Sequence, residues 1–96
     1  MKQKYFDWSE EKNNLLKKER NISFEEVLLA ISEGHILDIL SHPRKERYPG
    51  QKIFVIEIEE YAYLVPFIED KEKIFLKTII PSRKATKKYI VERRRS

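Results

Sequence analysis

The chain has 96 residues, 41% of them apolar and 38% charged, which suits one soluble domain over residues 1–96 built around a single core. It has no cysteine, which excludes disulfides, thiolate metal sites and a cysteine nucleophile, and no apolar run near the ~20 residues of a membrane-spanning helix. The net charge of +4 hides an asymmetry: residues 77–96 hold eight Lys and Arg against one Glu, whereas residues 1–76 hold twelve basic and fifteen acidic side chains.

In chain order, Lys4 to Trp8 has the aromatic content of a short strand or an ordered arm. Ser9 is placed to cap a helix from Glu10 to about Arg20, with acids in the first turn and Lys17 and Lys18 near the last, as the helix dipole prefers. Its few apolar positions, Leu15 and Leu16, predict a surface helix held by a narrow contact, with Phe6 and Trp8 supplying the rest of the anchor. A second helix is written more strongly. Ser23 and Glu26 form a capping box, and Ile22 and Val27 are spaced as its hydrophobic staple. Phe24, Val27, Leu28 and Ile31 then follow the i, i+3, i+4, i+7 spacing of one buried stripe. Gly34 can end this helix in the left-handed conformation, and the short turn around Asn21 predicts a helical hairpin.

Strand patterns follow. Ile36 to Leu40 reads as a short strand, Arg44 to Gly50 as a charged loop, and Ile53 to Ile58 as a strand with Phe54, Ile56 and Ile58 on one face. Glu59 and Glu60 make a tight connection to Tyr61–Ile68, which is apolar on both faces and therefore a covered strand. Pro66 within it predicts a bulge or a break, because proline cannot donate to the ladder. A charged turn, Glu69 to Lys73, leads to a last strand, Ile74 to Ile80. The expected fold is α+β: an N-terminal helical hairpin, a four-stranded antiparallel sheet with a possible extra N-terminal strand, and a basic C-terminal helix whose tail, 93–96, frays.

Ser82 sits at the N-cap of that last helix, and Arg83, Lys84, Lys87 and Lys88 follow on adjacent ridges. A cluster of this kind suits a phosphate or an acidic partner, and its simplest alternative is a solvated face. His42 is the better placed of two histidines, with Arg44, Arg47 and Tyr48 close by on a loop; His35 follows Gly34 and reads as part of a helix end. Two histidines with Asp38 as the nearest acid give no metal site, and no residue pattern calls for a cofactor.

The run Tyr5-Phe6-Asp7-Trp8-Ser9, with Lys12 and Asn14, followed by Ile22-Ser23-Phe24-Glu25-Glu26-Val27, resembles the opening of BrnT-type toxins. Ile79-Ile80-Pro81-Ser82-Arg83-Lys84-Ala85-Thr86, with Tyr89, resembles that family's strand-to-helix ending. The two blocks bracket almost the whole chain, while 42–51 matches loosely. The resemblance implies a RelE-like fold, a cytoplasmic ribonuclease that cuts mRNA without metal, and a small DNA-binding antitoxin of ribbon-helix-helix type as partner. The chain departs from the family in the turn between its first helices: Lys17-Lys18-Glu19-Arg20-Asn21 stands where Lys-His-Gly is usual, so any proton that histidine moves must come from another group.

Metal-free RNA cleavage needs a base for the 2′-hydroxyl, cations for the developing charge and an acid for the leaving oxygen. The residues that suit these roles are Arg83, Lys84 and His42 as catalytic candidates, with Lys87, Lys88, Arg44 and Tyr48 as RNA contacts. Two other classes use the same helix: a non-catalytic nucleic-acid-binding module, and an interaction protein that docks an acidic partner.

Overall fold

The computed structural model describes residues 4–95. Among these, three helices and a six-stranded mixed sheet form an α+β domain. Strand β1 (Tyr5–Asp7) precedes α1 (Glu10–Arg20) and α2 (Phe24–Ser32). Strands β2 (Ile36–Ser41), β3 (Gln51–Ile58), β4 (Tyr61–Glu69), β5 (Lys73–Leu76) and β6 (Ile80–Pro81) follow. The last helix, α3, spans 83–95. It starts as an α-helical turn (Arg83–Thr86), widens to a π-helical turn (Lys87–Val91) and returns to α geometry (Glu92–Arg95).

Local chemistry sets the helix ends. Ser9 Oγ accepts the Lys12 amide hydrogen, and Ser23 Oγ accepts that of Glu26, both at 3.2 Å. Asn21 ends α1 in the left-handed region (φ 54°), and Gly34 does the same after α2 (φ 82°). Beyond Gly34 the His35 amide returns to the Ala30 carbonyl and the Gly34 amide to that of Ile31, which closes a Schellman motif. His35 thus serves the helix end through its backbone.

The strand order is β1-β5-β4-β3-β2, with β6 taking over the edge of β4 where β5 stops. All pairs described are antiparallel except β1–β5, which is parallel. The predicted four-stranded antiparallel sheet is therefore corrected to a mixed one, because the N-terminal arm supplies a strand for the β5 edge. The predicted strand Ile74–Ile80 is also two pieces. Between them the Ile79 carbonyl takes a 2.7 Å hydrogen bond from Arg20 Nη1 in place of a ladder partner, and the Ile79 side chain is buried.

Pro66 causes no bulge. It pairs in register with Ile53, and its carbonyl accepts the Lys77 amide hydrogen at 2.8 Å, so its backbone edge faces away from β3. Its missing donor falls in the gap between β5 and β6, so the expected break lies in the ladder on that side and not in β4 itself. The irregularity lies instead in β2, where the register shifts between Ile36 and Asp38 and leaves Leu37 as the extra residue.

Alternation along β3 and β4 separates two cores. Phe54, Ile56, Val65 and Phe67 face α1 and α2, which contribute Leu16, Ile22, Phe24, Val27 and Ala30. Trp8 stacks on Phe24 at 5.5 Å, while Ile31 and Ile58 pack at the margin. The helix stripe differs from the predicted one in using Ala30 and leaving Leu28 half-buried. Val55 and Ala62 face the other way and meet Ala85, Tyr89 and Ile90 of α3. Of the tail 93–96, expected from the sequence to fray, residues 93–95 continue the helix, and Arg94 Nη2 reaches Glu57 Oε2 at 2.7 Å; Ser96 lies outside the described residues. No described helix is long and apolar enough to cross a membrane.

Candidate nucleic-acid interface

Helix α3 is fastened to the sheet at three levels. At its start the Ser82 amide donates to the Ala62 carbonyl of β4, and Ser82 Oγ caps the helix by accepting the Ala85 amide hydrogen, each at 3.0 Å. One turn on, the Thr86 hydroxyl donates to the Ser82 carbonyl and accepts the Ala62 amide hydrogen of β4, each at 2.8 Å. In the π turn the Tyr89 hydroxyl donates to Asp38 Oδ2 on β2 at 2.7 Å. The bond to Tyr89, followed by that to the Ile39 amide, holds the Asp38 carboxyl below its usual range. The same carboxylate, with burial, raises the Tyr89 phenol. The bulge in β2 and the π turn in α3 are thus two irregularities joined by one hydrogen bond, and both kinds of irregularity re-aim side chains.

This fastening decides where the cations go. Lys88 Nζ and the Arg93 guanidinium sit 5.1 and 4.9 Å from the centre of the Tyr89 ring, which places positive charge beside the latch. The charged groups of Arg83, Lys84 and Lys87 are exposed and make no hydrogen bond or ion pair among the described residues. Between α3 and β2 to β4 lies a cleft of about 190 Å³, with Leu40, Val55 and Leu64 as its floor and Lys84 and Lys88 at its rim. Arg83 and Lys87 share the helix but do not line the cleft.

The second group of predicted residues lies beyond the end of β2. The His42 amide hydrogen still bonds the Gln51 carbonyl at 3.2 Å, so His42 continues the alternation of Asp38 and Leu40 toward the α3 face. Its Nδ1 accepts the Arg44 amide hydrogen at 3.0 Å, and its ring packs on Tyr48 with centroids 4.3 Å apart. With Nδ1 occupied as an acceptor, a neutral ring carries its hydrogen on Nε2, which makes Nε2 a donor. Arg44 and Arg47 stand apart, around an open hollow with Glu46. The structure therefore gathers Lys84 and Lys88 at one cleft and leaves His42, with Arg44 and Tyr48, in a separate loop cluster.

Two residues of the interface escape a reading of the sequence for sites. Tyr89 enters there only through a resemblance, although an aromatic residue four positions after Ala85 on a basic helix is a signal for a buried contact. Asp38 carries no signal beyond its place in a strand. In the turn that lacks the histidine, Arg20 is committed to the Ile79 carbonyl, three residues before Ser82. Among the described residues no three His, Asp or Glu side chains gather as a metal-ligand set. Compared with known proteins, the chain matches no family model, no curated protein and no solved structure.

Proposed function

We propose that the chain is a toxin that cuts mRNA in the cytoplasm without a metal and is held inactive by a small ribbon-helix-helix antitoxin. The observation that carries this reading is the set of cations, Arg83, Lys84 and Lys87, without an ion pair among the described residues, on a helix start that is capped and bonded to β4. Cleavage of a phosphodiester builds negative charge, and cations fixed before the reaction stabilise that charge without reorganising. Arg83 suits a two-point clamp on the phosphate oxygens, and Lys84 a point contact with the developing charge. His42 donates an Nε2 hydrogen bond to the leaving oxygen and keeps its hydrogen. A water molecule takes the 2′-hydroxyl proton as the 2′-oxygen bonds to phosphorus, and solvent protonates the leaving oxygen as its bond to phosphorus breaks. Lys87, Lys88, Arg44 and Tyr48 lengthen the track for the strand. The likeness of both chain ends to BrnT-type toxins supports the same reading, and under it the fold is a RelE-like one.

Induction of the chain alone is expected to arrest growth and shorten bulk mRNA, and co-expression of a neighbouring ribbon-helix-helix gene to reverse both. In purified protein, Arg83→Ala abolishes cleavage while RNA binding falls modestly. Joint replacement of Arg93, Arg94 and Arg95 by Ala weakens binding and flattens its salt dependence, by about one slope unit for each phosphate no longer held, yet cleavage persists at saturating protein. Unimpaired growth at high soluble expression overturns the toxin. Equal behaviour of the two variants reduces α3 to a binding element without chemistry.

A further inference from the structure

The cations explain a grip on phosphate, but they do not explain the apolar cleft beside them. Its floor is Leu40, Val55 and Leu64, contributed by three different strands, with Ala85 closing the helix side. At about 190 Å³ it is smaller than the sites that hold drug-sized ligands and fits a single planar ring system. The Tyr89–Asp38 bond braces α3 at one end of the cleft, and Ser82 at the other end caps the helix through its oxygen while its own hydroxyl hydrogen stays available. The cleft thus combines apolar faces, one hydroxyl donor and two lysine ammonium groups at the rim.

We infer that this cleft is a subsite for one unpaired nucleobase, with Lys84 and Lys88 on the phosphates that flank it. The inference rests on the nucleic-acid part of the reading above and names the form of its substrate. A run of acidic side chains would satisfy the lysines and leave the floor bare, whereas a nucleotide carries an anion and a flat apolar-faced ring at fixed separation and satisfies both at once. The base has to be unpaired, because in a duplex its faces are stacked and cannot enter a cleft between a helix and a sheet. The Ser82 hydroxyl donates to an acceptor on the base edge, and the apolar faces take any base.

The test titrates uridine and adenosine 5′-monophosphate, ribose 5-phosphate and inorganic phosphate into the isotope-labelled full chain at fixed ionic strength, followed by amide shifts. The nucleotides are expected to bind roughly tenfold tighter than ribose 5-phosphate, since burying the faces of a base on apolar side chains contributes about that much. Their shifts should centre on Leu40, Leu64 and Ala85. Leu40, at the edge of the floor, is 36% exposed, so the uncharged change Leu40→Asn should fold and bring nucleotide binding down to the ribose 5-phosphate level; Leu40→Ser serves if it does not fold. Equal affinity for nucleotide and ribose 5-phosphate overturns the subsite, as does a polyglutamate that binds more tightly than an oligonucleotide of equal charge. Cleavage is measured in parallel. Nucleotide discrimination without RNA cleavage supports the subsite and removes the nuclease; cleavage without discrimination does the reverse.

Discussion

Asn13 is fully buried in a helix whose neighbours are charged, and its amide joins α1 to α2. Its Oδ1 accepts the Phe24 amide hydrogen at 2.8 Å, and its Nδ2 donates to Glu25 Oε1 at 2.8 Å. Phe24 opens α2, so its amide hydrogen belongs to the first turn and has no partner within its own helix. Asn13→Ala leaves that donor buried and unsatisfied, which costs about 1–3 kcal/mol. The void adds a smaller loss. The Glu25 contact adds little, because water replaces it at an exposed carboxylate. A total of about 2–3 kcal/mol corresponds to a fall in melting temperature of roughly 8–24 °C for a domain of this size. Urea titration followed by far-ultraviolet circular dichroism measures it, with the slope m held in common. Asn13→Asp is the companion variant. It keeps an acceptor for Phe24 but turns a second carboxylate toward Glu25, so part of its loss should return when acid protonates one of the pair. A loss below about 0.5 kcal/mol for Asn13→Ala at unchanged m would show that water reaches the Phe24 amide and that the helix pair is held by packing alone.

Two further outcomes test the turn and the latch. Glu59 and Glu60 both sit at positive φ (51° and 64°), the geometry of a type I′ hairpin that Asn-Gly prefers, so Glu59→Asn with Glu60→Gly should stabilise the chain by about 1 kcal/mol; an unchanged melting temperature would mean the glutamates bear no strain. Tyr89→Phe should destabilise most at neutral pH. The lowered Asp38 carboxyl contributes stability above its ordinary value that is lost as pH falls through its folded value, and the raised Tyr89 phenol contributes stability below its ordinary value of about 10 that is lost as pH rises through its folded value. Wild type and variant should therefore converge at both extremes, and a gap constant across pH would refute the hydrogen bond as its source.

Features that depend on neighbours in sequence were legible, and those that depend on distant partners were not. Ser9, Ser23, Ser82 and Gly34 cap or stop their helices as expected, since a cap is a contact within four residues. The alternation of Phe54, Ile56 and Ile58 marks the core face because the strand period is local. Pro66 signalled an interruption but not its place: β4 runs through it, and the outer ladder breaks opposite it, between β5 and β6, which only the pairing reveals. Asn13 was invisible because burial of a polar residue leaves no trace in hydrophobic periodicity. In the same way, the cations of α3 were legible as charge, whereas the cleft beside them was not, since Leu40, Val55 and Leu64 meet only after three strands have paired.

The parallel pairing of Tyr5 with Lys73 bears on how the domain assembles. Strand β1 precedes both helices, yet its partner β5 comes after β4, so this edge closes through a long loop and at high contact order. As the chain emerges from the ribosome, α1 and α2 appear before the strands that bury them. The Asn13–Phe24 bond is a polar tie already within reach, and it can join the two helices while Phe24 and Val27 are still uncovered. Helix α3 follows all six described strands, so the surface that carries the cations is fastened only after the β2–β3–β4 meander has formed its floor. A chain stalled before residue 83 would hold a largely built sheet whose second face, with Val55 and Ala62, lies open to solvent and to chaperones.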